Sequence, residues 1–200
     1  MGVVRTGALL DRIDFTAGEA VLFPGKADNL YRLRAGLVRL YTVDDDGVGV
    51  TLRYVKPGAY FGEERLTSRP RRYFAEAVTR SSVEVVDPDA LSADEQRLLS
   101  GLLAMALDSM GRSMHRLAGK PFRARIAAEL LELADSELAR RVGNVSEIRI
   151  THDELATAVG SVRETVTKVI GELARLGAIN SGYGKITVRD LRVLREVAGE

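Results

Sequence analysis

The pattern of apolar and polar positions divides the chain into two parts of different texture. From Gly18 to about Val86, short β-branched and aromatic segments alternate with turn residues, which is typical of an all-β domain. Leu37–Tyr41 shows the alternation of a strand, and Asp45–Gly47 predicts a hairpin turn before a strand that contains Thr51 to Val55. Many short strands at this spacing predict a jelly roll or barrel.

After Pro88 the spacing of the apolar residues becomes helical. No proline occurs between about Ser92 and Leu117, and apolar residues recur there at alternating spacings of four and three: Leu103, Leu107, Met110, Met114 and Leu117. This is the spacing of a coiled-coil seam, so we predict a long helix that pairs two chains in parallel. The alternative is a helix that lies on the core of its own domain.

Two further features follow this helix. Gly119 and Pro121 interrupt it, which predicts a boundary or hinge between domains. A second amphipathic helix comes next, and its predicted inner side consists of Phe122, Ile126, Leu130, Leu133 and Leu138.

The segment from Thr151 to Ile179 has the pattern of two helices joined by a tight turn. Thr151 and Glu154 fit a capping box that opens the first helix. The predicted apolar side of this helix is Leu155, Ala156 and Val159. Gly160 then supplies the turn, where a side chain would crowd the crossing of the two helices.

The second helix of this segment has its own start signal and its own apolar stripe. Ser161 and Glu164 fit a second capping box. The predicted buried stripe consists of Val162, Val166, Val169, Ile170 and Leu173.

The opposite side of the second helix carries polar residues in its first turns: Arg163, Glu164, Thr167 and Lys168. The N-terminal residues of a recognition helix are the ones that enter the major groove of DNA. Arginine can donate two hydrogen bonds to guanine, and glutamate can accept one from the cytosine amino group. The alternatives are that Glu164 only completes the capping box and that the two cations form a solvated face.

A predicted β-hairpin follows the second helix. Gly177 ends the helix, Ile179 starts a short strand, Gly182 and Gly184 bracket a tight turn, and Lys185–Val188 returns as a second strand. A hairpin in this position is a wing, so the segment is predicted to be a winged helix-turn-helix.

The amino-acid composition argues against most classes of catalytic site. The chain has no cysteine, so disulfides, thiolate zinc sites, iron–sulfur clusters and cysteine nucleophiles are excluded. Residues 1–114 contain no histidine, which argues against a metal site inside a barrel. A Gly-x-Ser-x-Gly elbow and a phosphate-binding P-loop are also missing. We therefore expect neither an enzyme nor a cofactor.

Charge and hydropathy add two expectations. The net charge is +1, but residues 160–195 contain seven basic and three acidic residues, a local excess that suits phosphate contacts or a solvated surface. The N-terminal segment MGVVRTGALLDRIDF lacks the apolar core of a signal peptide, and no apolar run is long enough to span a bilayer. We expect a cytoplasmic protein without a membrane partner.

The chain resembles the cyclic-AMP receptor protein and fumarate–nitrate regulator (CRP/FNR) family of bacterial transcription regulators. The resemblance covers nearly the whole chain: LYRLRAGLVRLYTVDDDGVGVTLRYVKPGAYFGE carries it in the N-terminal half, and the more specific string THDELATAVGSVRETVTKVIGELARLGAI carries it in the C-terminal half. It implies an α+β fold of three parts: an antiparallel β-roll effector-type domain (1–91), a dimerisation helix (92–118) and a winged helix-turn-helix DNA-binding domain (119–200).

The motif SVRETVTK aligns without a gap on the recognition helix of that family. The resemblance therefore implies base-reading roles for Arg163, Glu164 and Lys168. It implies phosphate-binding roles for Thr151, Asp153, Thr165 and Thr167. Val162 stands where the family often has a hydroxyl residue. A lysine at 168 keeps the charge of the arginine found in other members but loses its bidentate fork, so we expect weaker discrimination at that base pair.

The effector site departs from the family pattern. Gly62 and Glu63 match the Gly-Glu pair that holds the ribose of a cyclic nucleotide. The later Arg-Ser pair that binds the cyclic phosphate is replaced, because either Arg72 and Tyr73 or Tyr73 and Phe74 fall on that position. We expect a bulky aromatic side chain to crowd the phosphate. Gly62, Glu63, Arg72 and Tyr73 are thus predicted to form a vestigial pocket that does not take cyclic AMP.

Other inputs known in the family are not expected either. The iron–sulfur branch needs the cysteines that this chain lacks, and the haem branches usually use histidine ligands. The two histidines, His115 and His152, lie in the predicted long helix and at the start of the helix-turn-helix, so we expect surface or packing roles for both.

These observations predict a sequence-specific regulator, an activator that contacts RNA polymerase. It is expected to bind a pseudo-palindromic site in double-stranded DNA as a homodimer without cyclic AMP. Two alternatives stay open: a regulator gated by an unidentified small molecule, and a cyclic-nucleotide-type switch that acts on a protein partner.

Overall fold

The computed structural model describes residues 9–45, 49–143 and 145–199. These residues form two compact units, the first within 1–42 and 52–112 and the second within 43–51 and 113–200. Both units combine helices with antiparallel four-stranded sheets, so the α+β class expected from the sequence is confirmed. No helix in the described ranges is both long and apolar enough to cross a membrane.

The N-terminal part is the expected β-roll, with two antiparallel sheets in the strand orders β1-β8-β3-β6 and β2-β7-β4-β5. The strand β1, which the sequence pattern did not predict, extends the roll toward the N-terminus. The predicted turn residues Asp46 and Gly47 lie outside the described residues. The strands are β1 (Leu9–Phe15), β2 (Ala20–Leu22), β3 (Leu30–Ala35), β4 (Val38–Val43), β5 (Gly49–Val55), β6 (Tyr60–Phe61), β7 (Phe74–Ala77) and β8 (Ser81–Val86).

Alternation along the strands decides which side chains fill the roll. In β5, burial follows a strict period of two, so that Thr51, Arg53 and Val55 face inward. The core between the sheets is built from Leu22, Leu33, Val38, Leu40, Val55, Phe61, Tyr73, Ala75 and Val83. A buried arginine and a buried tyrosine therefore belong to the inner face of the roll, and both sit beside the predicted effector pocket.

The turn between β3 and β4 depends on Gly36. Its φ is +91°, in the left-handed region that favours glycine. A Cβ atom there would lie 2.3 Å from the Ser81 Oγ and 2.4 Å from the Arg80 carbonyl oxygen. Only glycine lets the backbone of this turn lie so close to the start of β8.

The predicted long helix is present as α1 (Ala93–Gly119). Ser92 and Glu95 form a reciprocal cap at its start, because the Ser92 amide and hydroxyl both donate to the Glu95 carboxylate and the Glu95 amide donates back to the Ser92 hydroxyl. Early in the helix, Leu99 is buried in a cluster against the β-roll, and Leu102 and Leu103 pack against that cluster. Part of the predicted seam is thus used inside its own chain.

The second unit contains α2 (Phe122–Ala134), β9 (Ala139–Val142), β10 (Val145–Ile148), α3 (His152–Ala158), α4 (Arg163–Arg175), β11 (Ile179–Gly182), β12 (Lys185–Val188) and α5 (Leu191–Ala198). The strands form one sheet in the order β11-β12-β10-β9. Helix α5 packs on α2, and α4 packs on α3 and on β11.

Two expectations for this unit need correction. Leu138 was placed on the second amphipathic helix, but α2 ends at Ala134, because the Ser136 hydroxyl donates to the Leu133 carbonyl and accepts from the Leu138 amide. The hairpin β9–β10 was not predicted. Its signal was available in the sequence, since the turn pair Gly143-Asn144 separates the two strand segments.

Candidate nucleic-acid interface

The first helix of the helix-turn-helix begins with the predicted capping box. The Thr151 hydroxyl accepts from the Glu154 amide at 3.2 Å, and the Thr151 amide donates to the Glu154 carboxylate at 2.7 Å. The Thr151 hydroxyl also donates to that carboxylate at 2.8 Å. Both polar hydrogens of Thr151 are therefore used to start α3. Leu155, Ala156 and Val159 are buried, as expected.

The second predicted capping box, Ser161 with Glu164, is wrong. Gly160 makes the turn with φ of +65°, and α4 then starts one residue later than expected, with Val162 at the N-cap and no side-chain cap. Counted from Val162, the third helical position is Thr165, so Glu164 is out of register for a reciprocal bond. Val162 is exposed at the helix entrance and does not belong to the apolar stripe.

This shift leaves the carboxylate of Glu164 free of a structural task. Among the described residues, no hydrogen bond or ion pair involves its side chain, which is exposed on the first turn of α4. The remaining stripe is buried as predicted: Val166, Val169, Ile170 and Leu173. The opposite face presents Arg163, Glu164, Thr167 and Lys168 to solvent, and Thr165 is exposed beside them.

Arg163 is linked to the first helix. Its Nη1 donates to the Asp153 carboxylate at 3.1 Å, and both side chains are 63% exposed. An exposed pair contributes about 0–1 kcal/mol to folding, so its effect is mainly on the direction of the guanidinium. A carboxylate has the same charge sign as a phosphate. If Asp153 contacts a phosphate as predicted, that contact has to come from its main-chain N–H.

The wing has the predicted form. Strand β11 pairs with β12 from Ile179 opposite Val188 to Gly182 opposite Lys185, and Gly184 has φ of +65° in the turn. Tyr183 at the tip is fully exposed. The Lys185 ammonium donates to Glu147 at 2.8 Å, and this hydrogen bond holds the pKa of the Glu147 carboxyl below its usual range.

His152 connects three elements of the motif. Its Nδ1 lies 2.9 Å from the Thr167 Oγ1 on α4, and its Nε2 lies 3.3 Å from the Ser181 Oγ on β11. The sequence pattern placed His152 at the start of α3 as a surface or packing residue. Contacts 15 and 29 residues away in the chain carry no signal in a local pattern.

Tyr73 of the predicted effector pocket is fixed by contacts within the β-roll. Tyr73 is only 6% exposed, and its hydroxyl accepts from the Gly62 amide at 3.2 Å and donates to the Glu64 carboxylate at 3.1 Å. Burial, followed by the neighbouring carboxylates Glu63 and Glu64, raises the pKa of the Tyr73 phenol far above its usual value. The phenol therefore stays neutral and serves as a fixed donor and acceptor.

The other pocket residues are also placed by internal contacts. Glu63 pairs with the buried Arg53 at 3.3 Å, and Arg53 also donates to the Tyr60 carbonyl at 3.1 Å. Arg72 is exposed in the segment before β7, whereas Tyr73 beside it is buried. A cleft of about 410 Å³ next to Tyr73 is lined by Glu64, Thr67, Arg69, Pro70, Arg72 and Tyr73.

Arg71 was missed from the sequence. Its side chain is 4% exposed and lies 3.7 Å from the Glu64 carboxylate, with its Nη2 beside Gly62. Its Nε and Nη2 have no hydrogen-bond acceptor among the described residues. Arg71 lies before the first residue of β7, outside any strand, so the strand pattern carried no signal for its burial.

The seam residues divide along α1. Leu107 is 72% and Met114 is 67% exposed, Met110 is half-buried, and Leu103 packs partly on its own β-roll. The side chain of Leu117 lies outside the described part of the chain. Among the described residues, no group of histidine and acidic side chains is arranged to hold a metal ion.

Comparison with known proteins agrees with both halves of the structure. A model of the cyclic nucleotide-binding domain matches residues 12–93, and a model of the Crp-like helix-turn-helix domain matches residues 124–197. The chain is 48% identical over 195 residues to the transcriptional regulator SdrP of Thermus thermophilus, covering 94% of each chain. It is 38% identical over 186 residues to the transcriptional regulator LdrP of the same species, covering 92% of this chain and 95% of the relative.

Solved structures show the same similarity. A crystal structure of a CRP/FNR-family transcriptional regulator from Thermus thermophilus has a TM-score of 0.87 and 47% identity, covering 95% of this chain and 99% of that chain. A second CRP-family regulator from this organism has a TM-score of 0.87 and 37% identity, covering 94% and 97%. The matches span the β-roll, the long helix and the winged helix-turn-helix together.

Proposed function

This chain belongs to the CRP/FNR family of DNA-binding transcription regulators, and on that premise we propose that it is an effector-independent homodimeric activator. The observation that carries the DNA-binding part is the free N-terminal face of α4. There Arg163, Glu164 and Lys168 are exposed, and Glu164 is not used for capping. The members of this family are transcription regulators and not enzymes. We expect this protein to act on DNA in the cytoplasm.

The proposed mechanism places one recognition helix in each half of a pseudo-palindromic site. Two such helices bind half-sites about 34 Å apart, one turn of DNA. Arg163 donates to guanine, Glu164 accepts from a cytosine amino group, and Lys168 adds a third base contact. Thr165, Thr167 and the main-chain N–H of Asp153 contact phosphates. A phosphate contact by Thr151 requires its hydroxyl to turn from the Glu154 carboxylate to the phosphate oxygen.

The test of DNA reading is selection from a random DNA pool with purified protein and no added nucleotide. We expect a two-fold palindrome with G·C pairs in each half-site. The affinity for the selected site should fall with salt, by roughly 0.9 in log K per phosphate contact for each unit in log salt concentration. Absent enrichment, or binding that ignores salt, would favour a switch that acts on a protein partner.

The homodimer is supported by the exposed apolar stripe of α1. Leu107 and Met114 are seven residues apart and mostly exposed, which leaves apolar surface in water unless a second helix covers it. We assign the dimerisation role to residues 92–118, between a β-roll (1–91) and a DNA-binding domain (119–200). In this assignment Leu103 contributes less than Leu107, because it already packs on its own chain.

A charge placed in the stripe tests the dimer. We expect Leu107→Glu to be monomeric in sedimentation and to bind the palindrome poorly, because two carboxylates would face each other. Met105→Glu is the matched control. Met105 is also exposed, at 68%, but it points about 200° away around the same helix. A Leu107→Glu protein that sediments as an intact dimer would show that this stripe of α1 is not the dimer interface.

Effector independence is supported by the contacts of Tyr73. By the resemblance, Tyr73 falls on the position of the pair that binds the cyclic phosphate in the family, and its hydroxyl accepts the Gly62 amide, a backbone donor of the Gly-Glu pair. We expect the affinity for the selected DNA to be unchanged by cyclic AMP. Activation follows from binding beside a promoter and contacting RNA polymerase, and in-vitro transcription without nucleotide measures it.

A second candidate is a regulator gated by an anion other than cyclic AMP. The observation that favours it is Arg71, whose buried Nε and Nη2 lack acceptors among the described residues. A carboxylate or phosphate that reached Arg71 would satisfy them. Tighter DNA binding in the presence of a metabolite pool, lost in Arg71→Met, would establish this candidate over the effector-independent one.

A further inference from the structure

The wing strand β11 lies at the edge of its sheet and pairs with β12 along its whole length. The base of the strand is fixed by buried Ile179 and by the short connection from α4. Asn180, Ser181 and Gly182 are exposed, and β11 has a partner strand on one side only, β12. An edge strand of this kind has no second ladder to fix its position relative to a neighbouring helix.

The side chain of His152 connects this strand to the recognition helix α4. Ser181 lies on the same sheet face as Ile179, which is the face that packs inward. The imidazole stands between that face and α4, with Nδ1 at the Thr167 hydroxyl and Nε2 at the Ser181 hydroxyl. Of the described residues, His152 is the one whose side chain hydrogen-bonds Ser181.

The two hydrogen bonds of His152 form a bridge between Thr167 and Ser181. This bridge leaves one hydroxyl hydrogen available for DNA. A neutral imidazole has one donor and one acceptor nitrogen, and a hydroxyl has one hydrogen and two lone pairs. The hydroxyl that accepts from the ring N–H keeps its own hydrogen free. If that hydroxyl belongs to Thr167, the exposed O–H on α4 can donate to a phosphate oxygen while the ring holds the oxygen in place.

We propose that His152 is a positioning residue that locks the wing to the recognition helix, so that both engage DNA as one rigid unit. This inference rests on the proposed DNA-reading function of α4. Without the bridge, the position of the β11–β12 hairpin relative to α4 has to be fixed when DNA binds, and that ordering lowers the affinity. The effect is confined to the DNA that the wing covers, beside the bases read by α4.

The experiment compares His152→Phe with the unmodified protein on two duplexes that share the selected palindrome. The long duplex extends past both half-sites, and the short duplex ends at them. We expect His152→Phe to bind the long duplex roughly tenfold more weakly. On the short duplex the wing has no DNA to contact and only the positioning of the Thr167 hydroxyl is lost, so the difference between the two proteins should be smaller than on the long duplex. Glu196→Phe, which adds the same ring at an exposed position of α5, is the control and should match the unmodified protein on both.

Two conservative variants separate the halves of the bridge. An asparagine amide reaches the place of Nδ1 and a glutamine amide reaches the place of Nε2, so His152→Asn keeps the Thr167 bond and His152→Gln keeps the Ser181 bond. We expect His152→Gln to restore most of the long-duplex affinity, because it retains the link to the wing. Ser181→Ala should weaken long-duplex binding by itself and add little in the His152→Phe background.

Several outcomes would overturn the proposal. They are an unchanged affinity of His152→Phe, an equal loss on both duplexes, or additive effects of Ser181→Ala and His152→Phe. His152→Asn, which loses the Ser181 bond, serves as the decisive variant if the phenylalanine variant does not fold. If the unmodified protein binds neither duplex, the proposed DNA-reading function fails. If it binds both and His152→Phe and His152→Asn match it, only the bridge fails.

Discussion

Replacing Arg163 by alanine gives the sharpest test of the recognition helix. Arg163 is the first residue of α4 and is 63% exposed, and its described side-chain contact is the exposed pair with Asp153. Removing it should change the free energy of unfolding by no more than about 1 kcal/mol, because it loses only an exposed ion pair and leaves no cavity and no buried unpaired group. Any loss of DNA binding then belongs to the DNA interface and not to the fold.

The size of the loss follows from the number of contacts. A bidentate arginine–guanine contact contributes about 1–3 kcal/mol of discrimination, and a symmetric dimer makes one such contact in each half-site. The Arg163→Ala dimer should therefore lose about 2–6 kcal/mol on the selected palindrome. With 1.4 kcal/mol for each factor of ten, this is a loss of between about 30-fold and about 10⁴-fold.

Fluorescence anisotropy with two operators measures both affinity and preference. One operator is the selected palindrome, and the other carries an A·T pair in place of the contacted G·C pair in each half. The unmodified protein should bind the second operator more weakly, whereas Arg163→Ala should bind both about equally. Arg175→Ala is the control, since Arg175 is exposed on the same helix about 18 Å farther along its axis.

The result that would refute this reasoning is an Arg163→Ala protein that keeps the affinity and the G·C preference of the unmodified protein. A uniform loss on both operators, with the preference retained, would also contradict base reading. In that case Arg163 would contact phosphate, and the salt dependence of binding would become shallower by about one phosphate contact per half-site.

The remaining predictions concern the fold. The β-roll of Gly36→Ala should unfold at a lower temperature than that of Gly58→Ala in differential scanning calorimetry. Both glycines have φ near +90°, but of the two only Gly36 lacks space for a Cβ atom. Thr151→Ala should lower the free energy of unfolding by about 0.5–2 kcal/mol in urea titrations through loss of the capping box, and a protein of unchanged stability would contradict the cap. The side-chain hydrogen bond from Arg192, followed by backbone N–H donors, lowers the pKa of Asp190 at the start of α5. The stabilisation by ionised Asp190 is therefore fully present above the pKa that Asp190 has in the unfolded chain, and it is lost as pH falls through its lower pKa in the folded protein. Asp190→Asn should flatten the acid side of a plot of Tm against pH.

Local patterns in the sequence were sufficient for much of the fold. The capping box at Thr151, the buried stripe from Val166 to Leu173, the wing and the start and length of α1 were all predicted, because each depends on residues within a few positions of one another. The motif SVRETVTK also placed the candidate base-reading residues on one exposed face, since a helix brings residues three and four apart to the same side.

The exact register of α4 was decided by tertiary packing and not by the capping signal. Ser161 and Glu164 have the right spacing for a capping box, yet the turn at Gly160 carries the chain one residue further before α4 begins. Hydrogen-bonding residues offer several possible starts, and the burial of Val166, Val169 and Ile170 selects the one that fits the core. Local signals leave such a choice open because their energies are small compared with burial.

The contacts of Tyr73 in the β-roll and of His152 beside the wing were decided by the tertiary structure alone. The sequence predicted that an aromatic residue would crowd the pocket, but the bonds of Tyr73 to Gly62 and Glu64 and the buried position of Arg71 depend on how separate segments of the roll pack. The bridge made by His152 joins residues 15 and 29 positions away. Sequence periodicity reports which face of one element is buried, whereas the partner that meets a polar atom on that face is chosen only when distant elements pack together.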